Sequence, residues 1–361
     1  MLRSFSVRNF RCFPALELPR LGRVNLIAGK NNVGKTALLE ALFLHLGPDN
    51  PEMAMRLNAL RGIPWFESIP EETWGWLFLD KRAELTISLS SAADDGRRRE
   101  LQVRLAEAQS ETVAAPAKGS VSAGKDVSYS TAAKLGKELE FRHDEGSGSV
   151  LVSRAILALE DGALTVRFRR SRPLGLPVGI FLTNAVHHLL ENAQRFSQLQ
   201  EIGREGDVLH PLRLVEPRLR RLAVSVMGPG MPILQGDVGL GRLVPVPLMG
   251  DGVGRLLSYL LAIADASHGT VLIDEIENGL HHSVMRDLWE AIARFAESSS
   301  TQVFATTHSW ECIQAARQAF AEAEKDDFLL HRLDRVEDRF EVATFDAEML
   351  ATAEAAGLEV R

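Results

Sequence analysis

The octet Gly29-Lys30-Asn31-Asn32-Val33-Gly34-Lys35-Thr36 matches the phosphate-binding loop GxxxxGK[ST] at every fixed position. Its neighbours suit it. The apolar run Val24–Ala28 reads as a strand entering the loop, and a helix from Thr36 to Leu46 leaves it before Gly47-Pro48 stops the chain. Glycines let the backbone wrap a polyphosphate, and the N–H groups of a helix start point at it. In such a loop Lys35 reaches the β- and γ-phosphate oxygens and the Thr36 hydroxyl ligates Mg²⁺. The expectation is a chain that binds a nucleoside triphosphate.

A second cluster lies far downstream. Val271-Leu272-Ile273 is a buried-strand run ending in two adjacent acids, Asp274 and Glu275. At a strand end, one acid can hold the Mg²⁺ shell while the next positions a water for attack on the γ-phosphate. Thr306-Thr307-His308-Ser309 closes another strand. If that strand neighbours the first, His308 lies on the same carboxyl edge as Glu275, where open α/β sheets bind ligands. His308 is then a candidate γ-phosphate sensor.

The chain between these clusters has a mixed pattern. Antiparallel strands are expected at Glu84–Leu89, Leu101–Leu105, Glu138–Arg142, Leu151–Leu159 and Leu164–Arg169, with a helix over Glu52–Leu60. Ala108–Ala133, poor in large apolar residues, reads as a mobile surface loop. Helices follow from Ala185 to Gln200 and from Pro211 to Leu222, then short strands at Val224–Val226 and Leu243–Val246, with Gly236–Gly241 a loop. From Gly252 onward helix and strand alternate, as in a parallel sheet flanked by helices. This organisation divides the chain into residues 1–182, a β-rich lobe carrying the loop, 183–240, an inserted helical lobe, and 241–361, which returns to the nucleotide core.

Composition excludes little but is consistent. A net charge of −7 argues against a blanket nucleic-acid binder. The basic run Arg167–Arg172 reads as a solvated strand face, with DNA contact left open. Two isolated cysteines, Cys12 and Cys312, fit a reduced, cytoplasmic protein, and the apolar run Leu256–Ala264 is far too short to span a membrane. The adjacent pairs His187-His188 and His281-His282 have poor spacing for one zinc ion.

Asn9-Phe10-Arg11-Cys12-Phe13, the phosphate loop, Ile273–His281 and Thr306–Ser309 together resemble the ABC-type ATPase heads of the SMC/RecF/OLD group. The likeness is greatest to stand-alone ATPases similar to the overcoming-lysogenization-defect family. It implies an α/β P-loop NTPase head with an inserted helical or mixed second lobe, using ATP and Mg²⁺. By that resemblance Gly29 to Thr36 bind the phosphates, and Thr36 and Asp274 hold the metal. Glu275 is the catalytic base, His308 the switch histidine, and Asn278–His281 the D-loop. Arg11 and Phe13 would lie near the nucleotide.

Such heads also need a signature element before the acidic strand. Met249–Arg255 is the candidate, with Gly250, Gly252 and Arg255 facing a partner's nucleotide, although a Gly stands where the family has Ser. The resemblance further implies a homodimer or higher even oligomer that sandwiches ATP and controls a separate effector protein, a nuclease being one kind, in bacterial defence against phage or foreign DNA. No convincing acidic metal cluster follows His308. The output is therefore expected on another polypeptide. A RecF-like DNA-repair ATPase and a small-molecule phosphotransferase remain as alternatives.

Overall fold

Val24–Ala28 is completely buried, and its alternate residues point into two different cores: Val24, Leu26 and Ala28 into one, Ile27 into the other. A strand apolar on both faces belongs inside a sheet covered on both sides, and that is where it lies. The computed structural model describes residues 1–108, 133–144, 146, 150–160, 163–171, 174–183, 189–228, 230–321 and 327–356.

The strands are β1 (Leu2–Phe10), β2 (Phe13–Leu18), β3 (Val24–Ala28), β4 (Ile87–Ala93), β5 (Arg98–Glu107), β6 (Ala133–Asp144), β7 (Val150–Glu160) and β8 (Ala163–Arg169). They continue as β9 (Gly179–Leu182), β10 (Arg221–Met227), β11 (Met231–Asp237), β12 (Val244–Pro245), β13 (Thr270–Ile273), β14 (Gln302–Thr306), β15 (Phe328–Val336) and β16 (Arg339–Phe345). The helices are α1 (Lys35–Leu46), α2 (Glu52–Leu60), α3 (Pro70–Trp74), α4 (Leu189–Glu201), α5 (Glu205–Val215), α6 (Asp251–Asp265), α7 (Met285–Ser298), α8 (Trp310–Ala319) and α9 (Ala347–Ala355).

A six-stranded sheet in the order β16-β15-β3-β14-β13-β9 is parallel except for its antiparallel edge strand β16. A seven-stranded antiparallel sheet, β2-β1-β4-β5-β6-β7-β8, faces it. Helix α1 lies between the two. Its Leu38, Leu39, Leu42 and Leu44 are almost fully buried, together with Phe5, Val7, Leu89 and Phe141 of the antiparallel sheet and Leu272 and Phe304 of the parallel one. A helix apolar all round is one covered all round. The other face of the parallel sheet packs under α4–α8, where Trp289, Phe320 and Phe328 form an aromatic cluster.

The expected strand and helix around the phosphate loop are present, as are β13 and β14, which end at Ile273 and Thr306 beside the two polar clusters. Three readings change. The helix expected over Pro211–Leu222 is instead α5, which starts at Glu205, contains Pro211 and ends at Val215; β10 has begun by Arg221. Pro217 and the extended pairing of β10 with β11 end the helix there. The loop expected at Gly236–Gly241 begins late, because β11 runs through Gly236 to Asp237, and a Cβ at Gly236 would come within 2.8 Å of Met249 Sδ. The strand expected from Glu84 starts at Ile87. Most of Ala108–Ala133, and His187-His188, lie outside the described residues.

Candidate nucleotide site

The loop between β3 and α1 turns through left-handed backbone at Asn32 and Gly34, with φ of 64° and 93°. Gly34 cannot be replaced without a clash: a Cβ there would stand 2.7 Å from Phe13 Cζ and 2.9 Å from Cys12 Sγ. The two-residue turn joining β1 to β2 is therefore packed directly against the loop, which explains why these two distant motifs occur together. The Lys35 ammonium donates to the carbonyls of Gly29 (2.8 Å) and Lys30 (2.9 Å), closing the loop over its own side chain. Burial lowers its pKa, opposed by the carboxylates of Glu277, Asp274 and Glu275. A buried cation surrounded by loop carbonyls and acids suits a polyanion bridged by a cation.

Parallel pairing of β13 with β14 sets Ile273 opposite Ala305, so both strands end at the same edge. There the Thr36 hydroxyl lies 2.9 and 3.1 Å from the two Asp274 carboxylate oxygens, and the Thr306 hydroxyl donates to Asp274 Oδ1 at 2.6 Å. Burial raises the Asp274 pKa and the neighbouring Glu275 adds to it, while the two threonine hydroxyls pull it down. Glu275 sits in left-handed backbone (φ 50°), and its N–H donates to Thr306 Oγ1 at 2.8 Å. Such a conformation is costly for a residue with a side chain and turns the carboxylate out of the strand direction. Asn278 Nδ2 reaches Glu275 Oε2 at 2.5 Å.

His308 stands on the same edge, half exposed. Its N–H and its Nδ1 both meet Glu277 Oε1, at 2.9 and 3.1 Å. The structure thus brings Lys35, Thr36, Asp274, Glu275 and His308 to one sheet edge. Gly250, Gly252 and Arg255 lie at the start of α6 beside the Asn278–His281 turn: a Cβ on Gly252 would meet the Gly279 carbonyl at 3.1 Å, and one on Gly279 would meet Arg255 Nε at 3.0 Å. Arg255 also hydrogen-bonds Tyr259, whose burial pushes its hydroxyl up to about 12. Arg11, expected near the nucleotide, has an ion-pair partner of its own. Its guanidinium pairs at 2.6 Å with Glu40 of α1, which Arg61 meets from the other side at 2.6 Å.

Three residues enter the site that sequence reasoning assigned no role. Thr306 ties the two strand ends, Glu277 holds His308 and is the leading carboxylate acting on Lys35, and Arg61 is near enough for its charge to act on Asp274. The signal for Glu277 was present as a third acid in Asp274-Glu275-Ile276-Glu277. Among the described residues no helix is long and apolar enough to cross a membrane.

Residues 1–91 match the family described as AAA ATPase domain, and residues 171–311 the family described as AAA domain, putative AbiEii toxin, Type IV TA system. A protein of Helicobacter pylori named ATP/GTP phosphatase is 22% identical over 337 residues, covering 89% of either chain. An uncharacterized protein of Methanocaldococcus jannaschii is 34% identical over 106 residues, 26% of this chain and 43% of that protein. Among solved structures, an Smc head bound to the C-winged helix domain of ScpA aligns with a TM-score of 0.49 at 10% identity over 97% of this chain and 99% of that one. The SMC head domain of Thermotoga maritima aligns with a TM-score of 0.44 at 12% identity over 95% and 98%. Two family models described as AAA and AAA ATPase domains, each over part of the chain, and a relative named for nucleotide hydrolysis accompany a phosphate loop whose threonine meets a strand-end aspartate at the edge of a parallel sheet.

Proposed function

We propose that this chain hydrolyses ATP to ADP and phosphate, and uses the reaction as a switch between two association states. The observation that carries the reading is the contact of Thr36 with Asp274, reinforced by Thr306. A hydroxyl and a carboxylate set side by side are hard oxygen donors suited to Mg²⁺, and they are joined to the loop and the acidic strand end. Thr36 and Asp274 would hold that ion, which when bound neutralises charge on the phosphate oxygens.

The chain's own groups divide the remaining work. Gly29, Lys30, Asn31, Asn32, Val33 and Gly34 present loop backbone to the phosphates, and Lys35 exchanges its carbonyl partners for β- and γ-oxygens. Glu275, turned out of its strand and steadied by Asn278, orients the attacking water and accepts its proton. His308, braced by Glu277, senses the γ-phosphate. Arg11 we read as positioning α1 through Glu40. Gly250, Gly252 and Arg255 would complete the nucleotide of a second copy, making ATP the cement of a homodimer. Its output would then be a separate effector in the cytoplasm, and the toxin–antitoxin wording of one matched family favours a defence role.

The test is phosphate release by the purified chain with ATP and Mg²⁺. Glu275→Gln is expected to keep ATP binding, seen as a thermal shift, and to lose turnover by roughly 10²–10⁴-fold, the usual contribution of a general base. Turnover within a few-fold of wild type would move the base elsewhere.

A further inference from the structure

Glu277 and His308 come from different strand ends, and the backbone fixes how they meet. The Ile276 N–H donates to the Thr306 carbonyl at 3.1 Å, and the Thr307 N–H to the Ile27 carbonyl at 3.0 Å. Each tie is made by the residue immediately before a member of the pair. The Glu277 side chain is 10% exposed and the His308 side chain 46%. Glu277 Oε1 accepts the His308 backbone N–H at 2.9 Å and meets ring Nδ1 at 3.1 Å. The Glu277 charge also reaches Lys35 of the loop, Tyr259 of α6 and Cys312 of α8. Asp274, Glu275, Arg255 and Glu311 are the other charged side chains on the elements around it.

The contact decides which ring nitrogen carries a hydrogen. A carboxylate oxygen only accepts, so a bare Nδ1 at 3.1 Å would set lone pair against lone pair. Nδ1 therefore holds a hydrogen, and in the neutral ring Nε2 then has none. Nε2 is the nitrogen left for a ligand. Neutral His308 thus has nothing to donate to a γ-phosphate oxygen, which is itself an acceptor. It could only accept, as from a water.

We propose that Glu277 is a positioning residue that fixes His308 with its Nδ1–H toward the carboxylate, so that ATP binding draws a proton from solvent onto Nε2. The imidazolium so formed lies between two anions, Glu277 on one side and the γ-phosphate on the other. Charge-assisted hydrogen bonds hold it from both sides. ADP has no γ-phosphate and draws no such proton. The pair then distinguishes the two nucleotides, and release of phosphate after hydrolysis returns the proton to solvent. This role rests on the ATPase reading above; the tautomer does not.

Two measurements on the full chain test it. Without nucleotide, at a pH where the ring is neutral, nitrogen NMR of the imidazoles reads the tautomer, with His308→Asn identifying the signal. His308 should be the Nδ1–H form. Glu277→Gln should retain it, because the His308 backbone N–H keeps the amide oxygen in place. Glu277→Ala should give the Nε2–H form that free histidine prefers. Calorimetry at about pH 8, where an ordinary histidine is neutral, then follows nucleotide binding in two buffers of different ionisation enthalpy. A Glu275→Gln parent prevents turnover. ATP should take up close to one proton more than ADP does, and His308→Asn should remove the difference. Adding Glu277→Gln should also remove it and weaken ATP roughly tenfold, the lower end for a hydrogen bond to a charged group, with ADP within about twofold. A purely structural role would weaken both nucleotides together. The Nε2–H form in wild type, equal proton uptake with ATP and ADP, or parallel loss of the two nucleotides in Glu277→Gln would each overturn the proposal. The Nδ1–H form with no heat of ATP binding in the parent would instead remove the nucleotide reading, and the role of the pair with it. The parent's ATP and ADP comparison stands alone should the Glu277 variants fail to fold.

Discussion

Thr306 Oγ1 donates to Asp274 Oδ1 at 2.6 Å while accepting the Glu275 N–H at 2.8 Å. One hydroxyl thus fixes both acids that the proposed reaction needs, from a strand paired beside theirs. Thr306→Val keeps the shape and removes the hydroxyl. Asp274 loses one of its two hydroxyl partners and the Glu275 N–H is left unpaired, at about 1–3 kcal/mol of stability. Turnover should fall by at least tenfold because Glu275 is no longer held in its left-handed turn, while ATP binding stays within a few-fold. Stability from urea melts and phosphate release on the same preparation check both parts. Unchanged turnover would show that the acids hold their positions without this tie.

Lys35→Ala removes the loop's cation from a site where burial already disfavours charge. ATP should no longer raise the melting temperature. For wild type, ligand at a hundred times its Kd stabilises by roughly 2.7 kcal/mol, well within reach of a thermal scan. A mutant that shifts as wild type does would place the nucleotide elsewhere.

Two buried histidines contribute to the loss of stability in acid. Burial lowers His45 from its ordinary 6.5 to about 3, with His143 and Arg99 adding to the shift, and lowers His331 to about 3. His45 is bonded to Ser91 Oγ at 2.7 Å; His331 lies between Thr344 and Asn25 at 3.1 and 3.2 Å. Because the folded pKa lies below the unfolded one, the unfolded chain binds more protons between pH 6.5 and about 3. Stability is therefore full above pH 6.5 and declines as pH falls through that window. Between pH 7 and 5 each histidine should cost roughly 2 kcal/mol. His45→Gln, neutral throughout and able to bond Ser91, should remove about half of this combined dependence in urea melts. A pH profile parallel to wild type would mean that His45 is not neutral in the fold.

What was legible in the chain was what local sequence dictates. Val24–Ala28, the glycine loop and α1 are contiguous, and an apolar run ending in glycine and lysine has few other structures. Ile273-Asp274 and Thr306-Thr307 were legible for the same reason, as buried runs ending in polar residues. The contact of Thr306 with Asp274 was not, because it arises from the register that sets Ile273 beside Ala305, and no local pattern encodes register. Strand β9, four residues following a proline-rich stretch, is placed by its long-range pairing with β13 and by packing on α1, neither of which is written in its own four residues. Strand β11 carries Pro232 and Gly236, which propensity assigns to turns; the side chains of Met249 and Leu219 pack into the space a Cβ at Gly236 would take. The resemblance places Arg11 near the nucleotide but says nothing of Glu40, the buried acid of α1 that its guanidinium meets. Glu40 is only 1% exposed and could not be buried without the two arginines flanking it.

The proposed dimer can be tested without a structure of it. If the start of α6 completes the partner's site, then in an isologous pair each nucleotide uses Lys35 of one copy and Arg255 of the other. Lys35→Ala and Arg255→Glu should each be inactive alone. In a hybrid dimer one interface carries both lesions and the other carries neither. Equal mixing makes half the dimers hybrid, each with one of two sites intact, so activity should return to roughly a quarter of wild type. Arg255 packs over Gly279 and bonds Tyr259, so Arg255→Glu also loses local contacts. Melting curves of that variant must match wild type within a few degrees for the experiment to report on the interface. With hybrids demonstrated by native mass spectrometry, complete absence of activity would show that Arg255 serves its own subunit's nucleotide, or that one intact site cannot fire alone. Mixing Arg255→Glu with Glu275→Gln separates those two cases. That hybrid again has one intact site, and its second site retains Lys35 and can bind ATP without turning it over. Activity there, with none in the Lys35→Ala mixture, would mean that both sites must be filled before either reacts. Silence in both mixtures would remove α6 from the partner's site.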